Sequence, residues 1–263
     1  MGKFLDLLDR IANGAPAALG FGVARAEKVP VMALIPVISR NHADGLKAVA
    51  TLAPEAVLLS GLAGAPALKS LTTPKIPWGV LADGLTGESA AAYQEGGCDV
   101  LAFSMENTQA TAVESEDVAR VLCLSPDLED RELRIIDSLP ADVLLLDLTG
   151  ASSPMTLRDL GRIATISRRA SKHVLVQLSQ VPGDKELAVL RDVGVRGLVL
   201  DLSAASSEQL AQLKAALLAL PRKRPDRKGK TSAILPGSVH GGEAGHAHGP
   251  EHEEEEEEDD DGP

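Results

Sequence analysis

Aromatic residues are scarce: three Phe, one Tyr and one Trp make up 2% of the 263 residues. Hydrophobic residues still reach 44%, enough for a sizeable core. That core must be built from Leu, Val, Ile and Ala, the composition of strands buried on both faces. Cysteine is nearly absent. Cys98 and Cys123 have neither the spacing of a metal or redox pair nor the density of a secreted disulfide scaffold, and read as two buried thiols. No apolar stretch reaches the ~18 residues of a membrane span, and no basic segment followed by an apolar run opens the chain. The expectation is a soluble, cytoplasmic protein with no membrane partner.

Excess positive charge is missing too. The net charge is −12, but it is unevenly placed. Residues 231–263 hold 11 of the 38 acids and no Lys or Arg, leaving 27 acids against 26 bases in the rest. A neutral body carries no electrostatic footprint for nucleic acid.

What the sequence does have is a recurrence. Short apolar runs at 31–38, 56–60, 78–83, 100–104, 120–125, 143–148, 174–179 and 198–203 have the length of buried strands. Helix-like segments at 43–52, 65–71, 88–95, 128–139, 157–170, 185–193 and 208–220 lie between or after them. The polar stretch 107–118 predicts an irregular connection. Start signals include Ser206-Ser207, Ser152-Ser153-Pro154 and Gly183-Asp184, and Gly96-Gly97 and Gly194 read as stops. Alternating strand and helix implies a parallel sheet with right-handed crossovers. Eight units predict an α/β fold, a single closed (β/α)8 TIM barrel. An open doubly wound sheet is the alternative, but Gly20-Phe21-Gly22 precedes the first run and reads as a turn, not a phosphate loop.

Three regions follow. Residues 1–28 hold a short helix with Phe4, Leu5, Leu8 and Ile11 on one face, suited to the barrel floor or a neighbouring subunit in an oligomer. Residues 29–221 form the barrel. Residues 222–263 run from basic to acidic with interspersed histidines, and predict a disordered, solvated tail whose His240, His246, His248 and His252 could take a transition metal weakly.

The phrases Gly97-Cys98-Asp99-Val100-Leu101, Pro140-Ala141-Asp142-Val143-Leu144 and Gly194-Val195-Arg196-Gly197-Leu198 resemble the helix-to-strand entries of aldolase-type barrels, a superfamily that includes the ribulose-phosphate-binding barrels. The resemblance covers about residues 30–220 and implies lyase or isomerase chemistry. The superfamily's strand-end lysine, its Asp-x-Lys-x-x-Asp and its double glycine after strands seven and eight are not found.

In such a barrel the site lies at the C-terminal ends of the strands. Asp147 shares a strand face with Val143 and Leu145, Asp201 with Gly197 and Val199, and Asp83 with Gly79 and Leu81. A crown of Asp83, Glu106, Asp147 and Asp201 could hold a divalent metal, with Asp83 and Glu106 as the metal ligands, or supply an acid/base pair. The bland alternative makes these acids loop and helix caps. Arg40, Asn41 and His42 form the best single cluster. Arg40 can clamp an anionic group and His42 can move a proton, while Asn41 can equally be a helix cap. Gln177, Ser179 and Ser203 join the ligand-binding set, and the serines can meet a phosphate. Nothing points to a flavin. His173 reads as structural. Two functions follow: an enzyme acting on a small anionic or phosphorylated metabolite, or a non-catalytic barrel serving as a binding or scaffold module.

Overall fold

The computed structural model describes residues 2–14, 28–62 and 74–222. The helix expected at 65–71, the Gly20-Phe21-Gly22 turn and the tail beyond residue 222 lie outside the described residues. Eight parallel strands close into one barrel in sequence order. They are β1 (Ala33–Ile38), β2 (Val57–Ser60), β3 (Trp78–Ala82), β4 (Val100–Ser104), β5 (Ala119–Leu124), β6 (Val143–Leu148), β7 (His173–Leu178) and β8 (Val195–Asp201). Helices α1 (Lys3–Asn13), α2 (His42–Leu52), α3 (Gly87–Glu95), α4 (Asp130–Ile136), α5 (Leu157–Arg169), α6 (Asp184–Val193) and α7 (Ser207–Ala219) accompany them. A single 3-10 turn, Ala110–Val113, occupies the stretch expected to be irregular.

Strand alternation divides the core in two. Ala33, Ile35, Val121, Val143, Leu145 and Val199 point inward, while Leu34, Val80, Leu122, Leu144 and Leu198 pack under the helices. Small residues make inward room where neighbouring strands crowd. A Cβ on Gly79 would stand 2.5 Å from the Val100 Cβ, closer than packed carbons approach.

Helix α1 closes the floor. Phe4, Leu7, Leu8 and Ile11 join the inner core. The sequence pattern puts Leu5 on that face, but Leu7 takes the deeper place and Leu5 is only half-buried, because Phe4, Leu8 and Ile11 set the facing angle. Each large side chain so buried contributes about 1.5–3 kcal/mol. The Asp9 carboxylate on α1 meets His173 Nε2 at 3.1 Å, so His173 is the first residue of β7 and a tie to α1. Arg222 Nη1 donates to the Ile11 carbonyl at 2.7 Å, a cation at a helix C-terminus.

The motif behind the helix-to-strand resemblance has a physical role here. Asp142 donates its N–H to the Arg120 carbonyl at 2.8 Å, and its carboxylate accepts the Arg120 N–H at 2.9 Å. Asp99 does the same to Trp78 and Glu55 to Leu34. Each acid clasps the start of the preceding strand. Arg196, which takes the acid's place in the third of these phrases, is the second residue of β8 and sits where the β7–β8 register shifts.

Two helix starts differ from expectation. Thr156, not Ser152-Ser153-Pro154, caps α5, its side chain accepting from the Asp159 N–H while Asp159 accepts from Thr156. Asn41 occupies the expected cap position of α2, but in a left-handed conformation (φ 49°, ψ 52°) and with no side-chain cap bond; its backbone carbonyl instead accepts the Asp44 and Gly45 N–H groups, both at 3.0 Å. No helix among the described residues is long and apolar enough to cross a membrane.

Candidate active site at the mouth of the barrel

Inward alternation carries Ser60, Leu81, Ser104, Cys123, Asp147, Gln177 and Asp201 to the C-terminal ends of their strands. Ser39, Arg40 and His42 follow β1 at the same end. The structure thus brings the anion-binding and acid/base candidates to one face.

Asp201 is fully engaged. Its Oδ1 accepts from the Ser203 amide at 2.8 Å and the Ser203 hydroxyl at 2.5 Å, and its Oδ2 accepts from Ser39 Oγ. Burial alone would raise its carboxyl. The Ser203 and Ser39 hydrogen bonds, with Arg40 nearby, outweigh that and hold it below the usual carboxylate value. It is a fixed anion that positions two hydroxyls and attracts Arg40.

Asp147 is different. Its Oδ1 accepts from the Thr149 amide at 2.9 Å and the Thr149 hydroxyl at 2.6 Å. Among the described residues nothing bonds to its Oδ2, and the side chain is open to solvent. Gln177 stands beside it in register across the β6–β7 ladder. Cys123, half-buried on β5, lies close enough to feel its charge. Burial, reinforced by that carboxylate, pushes the Cys123 thiol up to about 12.

The other candidates are tied more locally. His42 Nε2 meets the Ser60 carbonyl at 2.8 Å. Asp83 Oδ2 accepts from Asn107 Nδ2 at 3.2 Å, and Ser104 Oγ donates to the Asp83 carbonyl. Asp127 pairs with Arg162 at 2.5 Å. Glu106 is exposed on the loop after β4, and Ser179 is exposed after β7. Among the described residues no three His, Cys, Asp or Glu side chains converge to hold a metal ion, so Asp83 and Glu106 have no third ligand with them. At the start of α7, Ser206 Oγ accepts the Gln209 N–H while Gln209 accepts the Ser206 N–H. Those donors are met from within the helix.

Sequence reasoning missed Cys123 and Thr149 as site residues. The alternation that sorted Asp147 also turns Cys123 inward, from Ala119 through Val121. Thr149 is two residues beyond Asp147, the spacing of a local side-chain turn.

The fold defines a (β/α)8 barrel with its candidate site at the C-terminal mouth. No protein-family model matches the chain, and no curated protein matches it by sequence. Solved structures match by shape. A mutant tryptophan synthase α-subunit from the hyperthermophile Pyrococcus furiosus aligns over 70% of this chain and 96% of its own, at 16% identity and a TM-score of 0.53. A second mutant of that subunit aligns over 72% and 98%, at 16% identity and a TM-score of 0.55. At this identity the likeness is one of fold alone, that of a closed (β/α)8 barrel.

Proposed function

We propose that this is a cytoplasmic barrel enzyme of lyase or isomerase type that binds a small anionic metabolite at the mouth of the barrel. The observation carrying this reading is the Asp147 carboxylate. It points into the mouth, is oriented through one oxygen by Thr149, and offers the other to a bound molecule. A carboxylate so held can take a proton from a substrate and return it elsewhere. Arg40 supplies the cation for the substrate's anionic group, and Asp201 holds Ser39 and Ser203 in place beside it. Gln177 gives a neutral donor and acceptor next to Asp147.

A non-catalytic binding module is the second reading. It is favoured by the engagement of both Asp201 oxygens and of His42 Nε2, which ties down two of the groups that would share acid/base work with Asp147.

Native mass spectrometry of the purified protein identifies any retained metabolite, and titration of that class of anion measures its affinity. Arg40→Ala should weaken binding by about 1.5–3 kcal/mol, the range of a charge-assisted hydrogen bond. Asp147→Asn should keep binding and lose turnover. Unchanged affinity in Arg40→Ala refutes the anion site. Binding without turnover in the parent protein selects the binding module.

A further inference from the structure

The opposite end of the barrel carries a second concavity that the mouth does not explain. A groove of about 910 Å³ runs along the floor, bounded by α1, the lead-in to β1, the α2–β2 and β3 entries, and α7. Its bed is apolar, with Leu7, Ile76 and Leu218 among the lining side chains. Its polar lining is unbalanced: Lys3, Arg10, Lys28 and Lys214 against Asp6 and Glu55.

The existing contacts sharpen the imbalance. Glu55 spends its carboxylate on the Leu34 amide at 2.8 Å, and burial raises its pKa, which disfavours the anion. Lys214 is anchored on the Leu52 and Ala53 carbonyls. Lys3 reaches Asp99 at 3.6 Å. Arg10 and Lys28 have no carboxylate partner among the described residues. Two cations without a carboxylate partner among the described residues therefore flank an apolar bed in a groove of ligand size.

We propose that this floor groove is a second binding site, for an organic anion with an apolar body: a carboxylate, sulfonate or phosphate meeting Arg10 and Lys28, its hydrocarbon part lying on Leu7, Ile76 and Leu218. The site is independent of the mouth. Charge steers the ligand and apolar contact retains it, so binding weakens with salt without vanishing.

The probe is 8-anilinonaphthalene-1-sulfonate, an aromatic sulfonate that fluoresces when shielded from water. It is titrated into the full-length protein, the Arg10→Glu/Lys28→Glu double variant and Arg40→Ala, each first checked by circular dichroism for the native spectrum. The parent protein should give saturable, salt-weakened binding. Arg40→Ala should match it, and the double variant should lose at least about tenfold in affinity, as reversal of two steering charges requires. If the double variant unfolds, Lys28→Gln alone replaces it and should lose about threefold. Absence of saturable binding, equal affinity in the charge variants, or loss of binding in Arg40→Ala overturns the proposal. Because Arg40→Ala is read separately, failure of the floor site and failure of the mouth site give different patterns.

Discussion

Arg120 grips both oxygens of Asp142: Nη2 reaches Oδ1 at 2.8 Å and Nε reaches Oδ2 at 3.0 Å. The pair joins the start of β5 to the start of β6, and the backbone clasp between the same two residues lies within it. Burial alone would raise the Asp142 carboxyl, but the hydrogen bonds from Arg120 overcome that and hold it below the ordinary value of 3.8. A lowered folded-state value stabilises the fold above the unfolded value, and the contribution is lost as pH falls through the folded value.

Asp142→Asn should therefore cost stability at pH 7 and progressively less as pH is taken well below 3.8. The loss at pH 7 is expected at about 1.5–3 kcal/mol, the range for a charged hydrogen bond. Urea unfolding across that range decides it, and a loss that stays equal throughout would contradict the charge argument.

Two glycines test the barrel's packing in opposite directions. A Cβ on Gly79 runs into the Val100 carbonyl oxygen and meets the Val100 Cβ at 2.5 Å, while one on Gly161 in α5 meets nothing within 4 Å. Gly79→Ala must push strands apart and should cost about 3 kcal/mol or more. Gly161→Ala should gain about 0.5–1 kcal/mol from helix propensity. Chemical denaturation midpoints report both, and a neutral Gly79→Ala would show that the β3–β4 contact yields easily.

How far the sequence reveals this molecule depends on the range of the interactions. The barrel was legible because each βα unit announces itself within about 25 residues, through apolar strand runs and amphipathic helices. Strand starts were less so. Val195 and Arg196 read as a helix-to-strand entry, yet β8 already pairs there. At the site, alternation along β6 turned Asp147 inward, but its distinction from Asp201 was invisible. Ser39, which closes Asp201, lies 162 residues away, and no local pattern encodes that meeting. The clasp made by Asp99 and Asp142 was visible as a motif and silent as to purpose, since its acceptor role needs the preceding strand in place, and Glu55, which makes the same clasp to Leu34, was not singled out at all.

The thiols should be inert. Burial pushes both Cys98 and Cys123 up to about 12, and Asp147 adds to the effect at Cys123. Since the thiolate is the reactive form, iodoacetamide at pH 8 should alkylate the native protein at least about tenfold more slowly than the urea-unfolded chain. Fast modification of Cys123 in the folded protein would mean that the mouth is more open to water than its packing implies. Asp147→Asn removes the raising charge and should make Cys123 the more reactive of the two.

Glu55 offers the reverse of the Asp142 case within the same motif. Its carboxylate clasps the Leu34 amide at 2.8 Å, yet burial outweighs that bond and the neighbouring Lys214, and its carboxyl rises above the ordinary 4.5. A raised carboxyl holds its proton in the folded state after the unfolded chain has released it. The folded state then binds more protons, so stability falls as pH climbs from 4.5 through the folded value. Glu55→Gln keeps an oxygen to accept the Leu34 N–H and removes the titration. The variant should melt close to the parent protein below pH 4.5 and above it at pH 7, the gap opening between those values. Thermal unfolding of both proteins across that range is the measurement. A gap that stays constant with pH would show that Lys214 neutralises the buried carboxylate, and that Glu55, like Asp142, works as an anion.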